Sequence, residues 1–133
     1  MKGQMSKISK GEKKVFGPAK ALVCGFAPAK LPQLSQFFQE FGLQTLGVGL
    51  KHKSELIKDI VNQENLDLTD TEKLPPAVIL GGIKEKDLHL LLQKWPSLGL
   101  GQPLFAVYTP HSWEWTLAYL LKHLLEERAK FQG

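Results

Sequence analysis

Ala21-Leu22-Val23-Cys24-Gly25-Phe26 and Val78-Ile79-Leu80-Gly81-Gly82-Ile83 decide how this chain is read. In each, a short apolar run stops at glycine and the pattern then changes to helical spacing. A buried strand that turns sharply into a helix has this appearance. A shift of 57 residues overlays the two: Gly25 meets Gly82, Leu31 meets Leu88, Leu34 meets Leu91, Phe38 meets Trp95 and Gly42 meets Gly99. The second strands of the two halves match after a one-residue gap. The expectation is an internal duplication, each copy reading strand-helix-strand-helix.

Outward from the first run, a helix is expected between Ala29 and Phe41, with Leu31, Leu34, Phe38 and Phe41 on one face. Pro28 or Pro32 marks its start, since proline is tolerated only in the first turn. Gly42 suits its end. Leu46 to Leu50 reads as a short second strand weakened by Gly47 and Gly49. Ser54 reads as the N-cap of a short helix carrying Leu56, Ile57, Ile60 and Val61. Asn65 to Pro76 is a polar connection with Asp67, Asp70 and Glu72, and it closes on two prolines.

Outward from the second run, a helix from Glu85 to Trp95 carries Leu88, Leu91, Leu92 and Trp95, and Pro96 stops it. Leu104 to Thr109 is the most strand-like run of the chain. Ser112 reads as the N-cap of a long last helix, Trp113 to Lys130, with Trp113, Leu117, Leu120, Leu121, Leu124 and Phe131 in its stripe.

Alternating strands and helices predict an α/β fold with a four-stranded, mostly parallel sheet flanked by helices. The continuously apolar strands fit cover on both faces. The alternative is a ferredoxin-like α+β arrangement with an antiparallel sheet. The choice decides the site. In a wholly parallel sheet Cys24, His52, Gly82, Thr109 and His111 gather at one edge, where open α/β sheets bind ligands. With opposed halves the two glycine turns lie at opposite ends.

The 133 residues carry a formal charge of +4. Met1 to Lys20 holds six lysines against Glu12, so the remaining chain is close to neutral. Residues 1–18 read as a disordered basic arm, and residues 19–133 as a single α/β domain of two repeats, about 21–64 and 77–131. Lys7, Lys10, Lys13 and Lys14 could meet nucleic acid through phosphate contacts. One cysteine and no Cys/His zinc spacing leave no disulfide and no metal site in view, and no cofactor is implied. No apolar run is long enough for a membrane span, and a cytoplasmic location is expected.

Gly25 and Gly82 precede helix starts and could present N–H groups to an anion. No Gly-Lys-Ser/Thr loop and no complete G-x-G-x-x-G accompanies them. Thr109-Pro110-His111-Ser112-Trp113-Glu114-Trp115-Thr116 places two tryptophans, one facing the core and one nearer the surface, beside Thr109 and His111. The expected ligand set is Gly25, Gly82, Thr109, His111 and Trp113. Cys24 is the one candidate nucleophile, with no Asp or Asn placed to orient His52 or His111.

The second half, from Val78-Ile79-Leu80-Gly81-Gly82 through Ala106-Val107-Tyr108-Thr109-Pro110 to Trp115-Thr116-Leu117, resembles an uncharacterised bacterial domain family over residues 77–128. The departure is Gly81-Gly82-Ile83, where that family's pattern has Gly-Phe. The resemblance implies a small bacterial cytosolic protein and supplies no catalytic residues. The expected function is a non-enzymatic module binding a small anionic ligand or a protein partner. The alternatives are a nucleic-acid-associated protein using the lysine arm, and an enzyme with Cys24 as nucleophile.

Overall fold

The computed structural model describes residues 13–64 and 71–132. Lys7, Lys10, Asp67 and Asp70 lie outside them, as does most of the expected arm. The Phe131 side chain is likewise outside the described set. Lys13 to Pro18, the end of the expected arm, run beside the second glycine turn: Val15 N–H donates to Ile83 O at 2.9 Å, and Glu85 N–H donates to Lys13 O at 2.9 Å.

Four strands, β1 (Lys20–Cys24), β2 (Gln44–Gly47), β3 (Ala77–Gly81) and β4 (Leu104–Val107), form one open sheet in the order β2-β1-β3-β4. β1/β2 and β3/β4 are parallel. The central pair, β1/β3, is antiparallel, with Leu22 opposite Ile79 and Cys24 opposite Ala77. The sheet is thus mostly parallel, with one reversal that corrects the single-direction reading. Continuous apolarity reports cover on both faces and is silent about strand direction. The ferredoxin-like antiparallel sheet is not formed, although its consequence, two opposed halves, is.

Among the described residues four α-helices cover the sheet: α1 (Leu31–Gln39), α2 (Ile57–Val61), α3 (Glu85–Lys94) and α4 (Leu117–Gln132). Alternation along the central strands sorts the core into two layers. Ala21, Val23, Val78 and Leu80 pack with Leu34, Phe37 and Phe38 of α1, Leu91 of α3, and Trp95. Leu22, Cys24, Ala77 and Ile79 pack with Ile57 and Ile60 of α2 and Leu117 and Leu120 of α4. Trp95 anchors the first layer. It meets Phe26, Phe37, Phe38 and Phe105 ring to ring, and its indole N–H donates to Gly101 O at 2.8 Å. That bond satisfies the one polar atom of a buried ring.

Both early prolines are used. Pro28 opens a 3-10 turn, and Pro32 sits in the first turn of α1. Gly42 N–H donates to Gln39 O and Leu43 N–H to Phe38 O, which closes α1 in a Schellman motif. β2 lies two residues earlier than expected, because its pairing with β1 starts at Gln44. The second strands therefore match at a shift of 60, not 58: Leu46 sits beside Leu22 as Ala106 sits beside Ile79.

The caps also differ from expectation. Ser54 does not start α2. Leu56 does, by forming an antiparallel bridge with Thr116. Ile57 N–H donates to Trp115 O, and Leu117 N–H donates to Glu55 O. Ser112 starts only a 3-10 turn, and α4 begins at Leu117. Its cap is Thr116, whose Oγ1 accepts Tyr119 N–H at 3.1 Å. The starts of α2 and α4 thereby supply each other's orphan N–H groups with carbonyls.

Candidate functional site

The strand reversal separates the expected ligand set. Gly25 follows β1 beside Pro76, whereas Gly82 follows β3 beside Ala19. Thr109, His111 and Trp113 follow β4, which runs with β3, so they share an end of the sheet with Gly82 and not with Gly25. Cys24 and His52 stay at the Gly25 end.

The glycine turns use their own donors. Gly25 N–H donates to Thr71 O at 2.6 Å and Gly82 N–H to Phe16 O at 3.3 Å. Both have positive φ, +83° and +66°, and a β-carbon at Gly25 would overlap the Pro76 backbone as one at Gly82 would overlap Ala19. Glycine is required here by backbone conformation and by close approach of the backbone that leads into the neighbouring strand, Pro76 before β3 and Ala19 before β1. Neither turn holds its N–H out to an anion.

Cys24 is buried and its Sγ donates to Pro75 O at 3.3 Å. Desolvation outweighs a lowering hydrogen bond from Ala77 and pushes the thiol from 9.0 up to about 12. A nucleophilic cysteine needs the opposite shift. His52 is buried as well, its Nδ1 accepting Gly49 N–H at 3.0 Å, so it closes its own turn. No group of three His, Cys, Asp or Glu residues suited to a metal ion occurs among the described residues.

At the other end, Thr109 and Ser112 fold the backbone back on itself. Thr109 N–H donates to Ser112 Oγ at 2.9 Å, and Ser112 N–H donates to Thr109 Oγ1 at 3.1 Å. This reciprocal turn holds Trp113 against Tyr108 and Phe16, each at 5.3 Å between ring centroids. Trp113 and Trp115 are both half-buried and both pack on the α2/α4 layer, so the expected division into one core and one surface tryptophan is not seen. His111 points elsewhere. It is exposed, and its ring lies 5.3 Å from that of Trp115.

Trp115 starts a row of rings on the outer side of α4. Tyr119 meets it edge-on at 4.7 Å, and His123 at 5.3 Å. His123 Nε2 lies 2.8 Å from Glu127 Oε1. Tyr119 is 54% exposed, the most exposed large hydrophobic side chain among the described residues. Beside the row, Lys58 of α2 pairs with Glu114 at 2.8 Å, and the Glu114 carboxylate raises the lysine above its ordinary value. Sequence reasoning missed Tyr119 and His123. Part of the signal was present: Tyr119, His123 and Glu127 are spaced four apart, the spacing that stacks side chains on a helix, whereas Trp115 joins them from extended backbone before α4.

The opposite flank of α4 carries an apolar groove of about 430 Å³ between Ala118, Leu121, Leu125 and Ala129 on the helix and Leu74 and Pro75 before β3. Lys53, Lys122 and Glu126 form its charged rim. No helix among the described residues is long and apolar enough to cross a membrane. Lys13 and Lys14 are exposed, Lys14 forming an isolated antiparallel bridge with Lys84.

The family resemblance falls on these elements. In Ala106-Val107-Tyr108-Thr109-Pro110, Tyr108 packs its ring over Gly81 and its hydroxyl donates to Pro18 O. In Trp115-Thr116-Leu117, Thr116 caps α4 and Leu117 is buried. No curated protein and no solved structure matches the chain. Residues 76–131, from β3 to the end of α4, match a family described as a domain of unknown function (DUF3783).

Proposed function

We propose that this protein is a non-enzymatic protein-binding module that engages its partner through the outer side of α4. The observation that carries the reading is the ring row in which exposed Tyr119 and His123 lie against half-buried Trp115, with exposed His111 beside it. Tryptophan and tyrosine dominate the energetics of protein interfaces because they bury a large rigid area at low entropic cost. A protein partner fits better than nucleic acid, since the chain beyond Lys20 is nearly neutral and the lysine beside the row is paired with Glu114. It fits better than a small anion, since the turn donors at Gly25 and Gly82 are already bonded. The Cys24 enzyme reading is opposed by burial of its thiol.

The test compares proteins captured by the wild-type chain with those captured by Tyr119→Ser and by Lys94→Ser, a change on α3 away from the row. A protein retained by Lys94→Ser and lost by Tyr119→Ser is purified and titrated. A direct affinity that falls at least about tenfold in Tyr119→Ser supports the reading. Affinity indifferent to Tyr119 rejects it. Salt-dependent DNA binding in place of a protein partner favours the basic arm, and a thermal shift with small anions that His111→Ala removes favours the small-ligand alternative.

We also infer an internal duplication, in a bacterial cytoplasmic protein. Three residue pairs equated by the repeat touch one another: Leu22 opposite Ile79, Phe38 stacked at 6.3 Å on Trp95, and Leu56 bridged to Thr116. Equivalent positions meet in this way on a two-fold axis relating two copies.

A further inference from the structure

The two edges of the sheet occupy equivalent places in the two halves, and they differ in character. The β2 edge presents Gln44, Thr45 and Gly47, with Ser35 of α1 above them in a polar cleft. At the matching positions the β4 edge presents Leu104, Phe105 and Val107, with Leu92 of α3 above them. Leu88, Leu92, Phe105 and Val107 line a shallow apolar cleft of about 140 Å³ there. Leu92 is 38% exposed, and Phe105, Ala106 and Val107 are only partly buried. β4 has no lysine, no proline and no bulge, the devices by which an edge strand avoids pairing. Among the described residues nothing pairs with its outer side.

We propose that β4 pairs antiparallel with β4 of a second copy of this chain, about a two-fold axis at Ala106, so that two four-stranded sheets join into one. The hydrogen-bond pattern selects this register. Leu104 N–H donates to Pro76 O and Tyr108 N–H to Leu80 O, so Phe105 and Val107 direct their N–H and C=O groups away from β3. Centred on Ala106, Phe105 of one copy faces Val107 of the other and every outward group finds a partner. Centred on Phe105, Val107 would face Pro103, which has no N–H. Centred on Val107, Phe105 would face Thr109, whose N–H is held by Ser112. The closest approach then falls on the small side chain of Ala106.

Charge supports a like partner. α3 crosses from β3 to the parallel β4, so it runs against both, and a two-fold normal to the sheet sets the two α3 helices antiparallel on one face. The first turn of each, Glu85-Lys86-Asp87 with one net negative charge, then lies toward the basic end, Lys94, of the other, with opposed helix dipoles. Leu92 of each copy covers the joined strands.

The test is sedimentation of the full chain across the micromolar range, with hydrogen exchange at Phe105 and Val107. A dimer is expected, with protection at both amides that rises with protein concentration. Val107→Pro removes an outward N–H that β3 does not use, and Leu92→Ser installs the first half's residue. Each should weaken dimerisation at least about tenfold at unchanged far-ultraviolet dichroism. A monomer at all concentrations overturns the proposal. So does protection independent of concentration, which assigns the edge to the chain's own segments, and so does a dimer that Leu92→Ser leaves intact. If Val107→Pro does not fold, Leu92→Ser and the exchange data decide.

Discussion

Tyr108 lies across Gly81, its ring filling the space a β-carbon there would occupy. In the first half the matching positions are Val48 and Cys24. One copy pairs a large residue with glycine, and the other pairs two of middle size. Gly81→Ala should therefore destabilise by about 1–3 kcal/mol through overpacking. The same change in a Tyr108→Val background should cost much less, and a double-mutant cycle by urea denaturation measures the difference.

Cys24 should make stability fall at high pH. Its thiol is raised from 9.0 to about 12 by burial, so between these values the unfolded chain loses a proton that the folded chain keeps. The stabilisation is fully present below pH 9 and is lost as pH rises toward 12, with a slope approaching about 1.4 kcal/mol per pH unit. Tyr108 is raised by burial as well and adds to the fall from above its ordinary 10.0. Cys24→Ala should flatten the first part of the curve. In the native state the thiol should resist alkylation, and urea should expose it.

Thr116→Ala should cost about 1 kcal/mol by removing the acceptor for Tyr119 N–H at the start of α4. Thr116→Ser keeps that oxygen and should recover most of the loss. Thermal unfolding of the two variants separates the cap from a general effect of the bridge.

Trp113 and Tyr119 should respond differently to truncation. Trp113 packs against Tyr108, Phe16 and the core, so Trp113→Ala should approach the lower end of the roughly 3–5 kcal/mol typical of core aromatics. Tyr119→Ala removes an exposed ring and should change stability by about 0.5 kcal/mol or less. A large stability loss at Tyr119 would mark the ring row as packing and remove its claim to a partner.

The strands and the main helices were legible because each carries its own periodicity. Leu34, Phe38, Leu91 and Trp95 lie in the core where their spacing puts them. Strand direction was not legible, since Leu22-Val23-Cys24 would look the same covered by helices in either orientation. Ser54 and Ser112 have the chemistry of caps, but the caps that form depend on a partner 60 residues away, at Leu56 and Thr116. No local signal carries that contact. Gly25 and Gly82 were recognisable as turns. Their reason, the backbones of Pro76 and Ala19 passing against them, is tertiary. The candidate set is divided for the same cause: the reversed central pair puts Gly25 at the end of the sheet opposite Gly82, Thr109, His111 and Trp113.

The pairing of Leu22 with Ile79 has a consequence for how the sheet responds to dilution. Between separate chains such a pairing would loosen as concentration fell. Here a covalent connection holds the two strands at a fixed effective concentration, so the middle of the sheet stays closed however dilute the protein is. A fragment beginning at residue 76 would carry β3 with its inner edge bare, and it would have to borrow from another molecule what β1 supplies within this one.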